Sequence, residues 1–122
     1  GVADDLAAGA HFLQRLRVYH PLLAILVGGF VVYVAQQLRA QQPSGPAHEA
    51  ASVTRWAARL TWLYLAQVAL GSLNFLLLAP AAVQVAHLLM ADLTWIACVQ
   101  LCLAVAARRA PELQVSFESA AS

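Results

Sequence analysis

Two histidines stand in the most apolar parts of this chain, His20 in "LRVYHPLLA" and His87 in "VAHLLMADLTW", the second followed five residues later by Asp92. Across 122 residues only 11% are charged. A polar group in such surroundings is expensive to bury and marks a functional site by default. An imidazole there can offer its nitrogen lone pair to a metal, or bond between helices. Asp92 does not share the site of His87. Five residues carry a helix about 140° beyond a full turn, so no direct intrahelical bond joins the pair. Asp92 is expected to bond to another helix or to groups such as Asn74, Thr94 or Gln67, with a proton relay as the second reading.

The elements that carry these residues follow from composition. With 61% hydrophobic residues the chain falls in the membrane class. Each of three stretches approaches the ~20 apolar residues needed to cross ~30 Å of hydrocarbon. Residues 1–17 read as an interfacial lead-in, with Phe12, Leu13 and Leu16 apolar and Arg15 and Arg17 as anchors. Then come a first transmembrane helix (18–38), a loop "QQPSGPAHEAAS" within 39–59, a second helix (60–79), a third (81–107) and a polar tail (108–122), disordered or surface-lying. Pro21 suits a first helical turn, or kinks a helix that starts earlier. None of the three alternates with a period of two, so the fold class is all-α, a transmembrane helix bundle.

The first stretch is longer than a signal-peptide core and lacks a cleavage pattern. The chain begins at Gly1 rather than Met, and so reads as processed or as a piece of something longer. All seven basic residues are arginine. Arg39, Arg55 and Arg59 flank the first loop, and Arg108 and Arg109 follow the third helix. Against Arg15 and Arg17 this majority makes the loop and the C-terminus cytoplasmic and the N-terminus external. Such flanking arginines form no patch for nucleic acid. Cys98 and Cys102, four apart on a helix, read as small buried apolar residues. No phosphate loop, zinc spacing or Ser/His/Asp pattern occurs.

This topology puts His20 at the outer end of helix one and His87 about seven residues into helix three, from the same side. Their depths differ by roughly ten ångströms or less at 1.5 Å per residue. Two imidazoles from separate helices, with no third ligand at their level, suit the axial positions of a haem iron better than tetrahedral zinc. A porphyrin needs bare helix beside each ligand. Ala24 follows His20 at i+4, Ala91 follows His87 at i+4, and Gly28 lies two turns beyond His20. Arg17, on the face of His20, and Arg15 nearby either hold propionates or anchor the helix at the headgroups. His11 faces away from His20, at the interface, and His48 is a loop residue.

The segments "LRVYHPLLA", "QVALGSLNFLL" and "HLLMADLTWIA" together resemble the haem A synthase family, membrane oxidoreductases that convert haem O to haem A. The resemblance covers about residues 12–108 and concerns the last three of eight helices, in the second of two related four-helix halves. Arg17, His20, Pro21 and Ala24 match the sixth helix. Gln67, Leu70 and Gly71 match the seventh, and His87, Ala91 and Asp92 the eighth. What this implies is a b-type haem held by His20 and His87 for electron transfer. Oxidation of haem O would belong to the first half, which this stretch does not contain. Three helices leave one flank of a porphyrin open, so another helix is the expected partner, from the rest of the enzyme, a second subunit or a dimer mate. The expected location is a bacterial cytoplasmic membrane. Two further readings compete: a small b-type cytochrome serving a respiratory complex, and a structural subunit whose histidines only bond between helices.

Overall fold

In the computed structural model the described residues are 1–41, 47–78 and 80–121, with backbone alone described at 3, 5–8, 13, 14, 16, 17, 111 and 112. They form three helices, α1 (Val2–Ala40), α2 (Ala47–Leu76) and α3 (Ala81–Ala121), and no strand. The all-α class expected from sequence is what the structure has.

The helices overrun the apolar stretches that predicted them. α1 begins in the expected lead-in and keeps Pro21 inside it. α2 begins in the expected loop, with Glu49 in its first turn, where a negative charge favours the helix dipole. α3 continues past Arg109 through a segment expected to be disordered or surface-lying. The reason is local. Ala, Leu, Gln, Glu and Arg dominate these flanks, and all are good helix formers whether or not lipid surrounds them.

Val18–Ala40 and Ala81–Ala121 are long and apolar enough to cross a membrane. At 1.5 Å per residue α3 is about 60 Å long, roughly twice the hydrocarbon thickness, so its polar end projects beyond any bilayer its first part spans. In these two stretches only 6% and 11% of the most apolar window is buried, which is unlike the core of a soluble protein. Trp62, Phe75, Trp95 and Leu88 all lie on the surface. Such a surface suits lipid.

The chain divides into two compact units, Gly1–Val31 and Val32–Ser122. In the second unit α2 and α3 run along each other around a small core of Ala35, Val53, Ala57, Leu60, Ala97 and Leu101. Half of these are alanine, which lets helix backbones approach closely where lipid supplies no hydrophobic drive for association. Thr61 ties the end of α1 to α2: its Oγ1 donates to the Ala57 carbonyl at 2.9 Å and accepts from Gln36 Nε2 at 2.8 Å. Ser72 and Thr94 also return their hydroxyls to carbonyls one turn back, Val68 and Met90. That satisfies each hydroxyl inside its own helix.

α2 ends in a turn at Leu77 and Leu78, and α3 opens after Pro80. Leu77 N–H bonds the Leu73 carbonyl, and the Pro80 carbonyl accepts from Val83 and Gln84 N–H, opening α3. Leu78 takes the left-handed conformation, with φ 57°, where a side chain costs about 1 kcal/mol or more. Its side chain is almost wholly exposed. Replacing Leu78 by glycine should therefore raise stability by up to about 1 kcal/mol, read as a higher melting temperature in detergent. A lower one would contradict the turn geometry.

Candidate functional site

His87 faces α2, and three α2 positions explain its surroundings. Gln67, Gly71 and Asn74 recur at spacings of four and three, so they share one face of that helix. Gly71 seats the ring: a Cβ built there would stand 3.2 Å from His87 Cε1, and 3.8 and 3.9 Å from its two nitrogens. Any larger residue must push the imidazole. One turn earlier, Gln67 Nε2 lies 3.5 Å from His87 Nε2. The ring is thus held between a backbone without a side chain and an amide.

The polar accounting around this ring is incomplete. His87 Nδ1, Gln67 Oε1 and Asn74 Oδ1 are buried and lack a hydrogen-bond partner among the described residues. An orphaned buried polar atom costs about 1–3 kcal/mol. Two of the three belong to the α2 face that carries Gly71, and the third to the ring seated on it. Ala91, one turn along α3 from His87, is half-buried and adds no bulk beside the ring.

Asp92 points elsewhere, as the 140° offset requires. It is exposed and bonds to none of the groups expected for it: Thr94 serves Met90, Gln67 approaches His87, and Asn74 Oδ1 is unpartnered. Helix rotation turns the Asp92 face away from α2. Cys98 is half-buried and Cys102 exposed, both with free thiols, so Cys102 departs from the expectation of burial.

His20 belongs to the first unit and is exposed on α1. Ala24 is exposed on the same face, and Gly28 is half-buried. Arg15 is exposed and lines a shallow hollow with His11, Val18 and Tyr19. The Arg17 side chain lies outside the described residues. At the other end of the chain's second unit, Arg39, Gln41, Thr54 and Arg108 line one cleft. An arginine from the last turn of α1 and one late in α3 therefore share one end of that unit.

Among the described residues no three of His, Cys, Asp or Glu gather to hold a metal ion. A pair of axial haem ligands needs no such cluster. Sequence reasoning did not connect Gln67 with His87. One signal was available: Gly71 and His87 stand equally far along the chain from the turn, so in an antiparallel hairpin they meet.

Comparison with known proteins bears on the same segments. Residues 2–99 match the profile of a family described as cytochrome oxidase assembly protein. Two proteins named protoheme IX farnesyltransferase, from two strains of Thermus thermophilus, are each 40% identical over 92 residues. The match covers 75% of this chain but only 14% of either relative. No solved structure matches.

Proposed function

This chain belongs to the cytochrome oxidase assembly protein family, that of the haem A synthases, and from that membership we propose that it is the haem-binding part of a haem A synthase, with His20 and His87 as axial ligands of a b-type haem. It is a membrane protein, by its family and its long apolar helices. The bound haem would supply one-electron transfer. The observation that carries the proposal is the seat of His87: an imidazole in an apolar helical hairpin, packed over a glycine that leaves the ring room.

The chain's own residues then have distinct tasks. Gly71 and Ala91 keep bulk away from the His87 ring. Ala24 and Gly28 do the same on the side of His20. Arg15 and Arg17 are placed before His20 in the sequence to meet carboxylates, such as the propionates of a porphyrin. Arg39, Arg55, Arg59, Arg108 and Arg109 hold their end of the helices in the cytoplasm, and all three helices span the bilayer. The remaining flank of the haem is closed by a helix from the rest of the enzyme or a partner subunit. The transferase activity in the relatives' name describes proteins of which this match is a small part.

Two measurements test the proposal. Membranes containing the full-length protein should show b-type bands in a reduced-minus-oxidised spectrum. Cells lacking it should accumulate haem O and contain no haem A. Normal haem A in those cells would eliminate the synthase assignment, and with b-type bands retained would favour a small electron-transfer cytochrome.

A further inference from the structure

We propose that the cleft lined by Arg39 and Arg108 binds the phosphate of an anionic phospholipid. The proposal is independent of the haem reading. It begins from two arginines, one in the last turn of α1 and one far along α3, that line a single cleft.

The lining has the composition a phosphate needs. Arg39 and Arg108 bring two positive charges, Gln41 an amide and Thr54 a hydroxyl, and none of the described residues lining the cleft is acidic. A guanidinium meets a phosphate through two parallel N–H donors, which gives direction as well as charge. Neither arginine has an ion pair among the described residues. Glu49, the acidic residue nearest in sequence to the α2 lining, pairs with neither, and its Oε2 is buried without a hydrogen-bond partner among those residues. The other arginines of α2 differ. Arg59 lays its guanidinium over Trp56, 4.6 Å from the ring centre, and Arg55 is exposed and does not line the cleft. Two like charges gathered at one cleft repel, and a bound anion replaces that repulsion by attraction.

Position in the membrane identifies the source of the phosphate. Arg39 is next to the last residue of the apolar span Val18–Ala40, which puts the cleft at headgroup level. Leu38 and Val53 give it apolar walls, and Val34, one turn back from Leu38 along the span, is exposed. A lipid can present its phosphate to the arginines while its acyl chains follow α1 into the bilayer. A free phosphate gains nothing from those apolar residues. The cleft itself encloses about 10 Å³, room for about one water. One phosphate oxygen therefore enters, and the rest of the headgroup stays at the mouth.

The test is native mass spectrometry of the full-length protein in neutral detergent, titrated with phosphatidylglycerol. One lipid should be retained per chain. Phosphatidylcholine, whose quaternary ammonium the arginines repel, should bind about tenfold more weakly or worse. Arg39→Gln and Arg108→Gln should each weaken phosphatidylglycerol binding by about tenfold, the effect of losing a hydrogen bond between charged groups. Arg55→Gln removes the same charge outside the cleft and should change binding by less than about twofold, because an exposed charge is screened. Replacing both cleft arginines by lysine keeps the charge without the paired donors and should fall between wild type and the glutamine variants. Circular dichroism checks folding, and the lysine pair keeps the test decisive if a glutamine variant fails to fold. Equal binding of the two lipids, a lysine pair that binds like wild type, or a loss in Arg55→Gln as large as in the cleft variants would overturn the proposal. Inorganic phosphate is the second arm. If it binds through both arginines and phosphatidylglycerol does not, the ligand is a soluble phosphate and the lipid assignment falls.

Discussion

His87→Ala in the full-length protein should abolish the proposed low-spin b-type spectrum while leaving the helices folded. The expectation has two parts. As a proposed axial ligand, His87 should have a larger effect than any outer-shell partner, so the loss should exceed the roughly 10–100-fold typical of such partners. As a structural residue it contributes little: its ring has one long contact to Gln67 and a buried nitrogen without a partner among the described residues. Removing an orphaned polar atom returns part of the roughly 1–3 kcal/mol that its burial costs, which offsets the lost packing. Helicity by circular dichroism should be unchanged and the visible spectrum lost. His20→Ala should have the same spectral effect with still less effect on folding, because His20 is exposed. His11→Ala and His48→Ala, at exposed positions the proposal leaves free of iron, serve as controls. An unchanged low-spin spectrum in both His20→Ala and His87→Ala would refute the ligand assignment.

Gly71→Val should produce the second large loss. Even an alanine Cβ would meet His87 Cε1 at 3.2 Å, close enough that the ring must move by a few tenths of an ångström. Alanine also gains up to about 1 kcal/mol of helix propensity over glycine, so Gly71→Ala should fold at least as well and lose only part of the spectrum. Valine places two further methyl groups in a helix that allows its side chain essentially one rotamer. Overpacking of this kind costs typically about 1–3 kcal/mol, and the movable neighbour is the imidazole. We expect the low-spin signal of Gly71→Val to fall about tenfold or more, with a lower melting temperature. A valine variant with an unchanged spectrum would show that α2 does not seat the ring. The graded order glycine, alanine, valine distinguishes steric displacement from general instability, since alanine separates the two effects.

Much of this was readable in the chain. Long apolar runs can only be helices when they lack a period of two, because lipid leaves no partner for open backbone groups. His20 and His87 stood out for the same reason: a polar group costs so much in such runs that its presence is informative. The separation of Asp92 from His87 followed from the helical repeat alone. Helix ends were less legible. The flanks 47–59 and 108–121 are polar, and polarity hides helices whose residues favour them by backbone propensity rather than by burial.

What sequence could not decide was rotation. Periodicity says which residues share a face of α2, and it put Gln67, Gly71 and Asn74 together. It does not say which way that face turns, because rotation about the helix axis depends on how closely two backbones pack, and that depends on small residues from both helices at once. Ala57 on α2 and Ala97 on α3 are buried and the two helices pack together, with Gly71 and Gln67 against His87 and Asp92 exposed. From the sequence alone came the helices and the two histidines. The amide that faces one of them was settled only by the packing of α2 on α3.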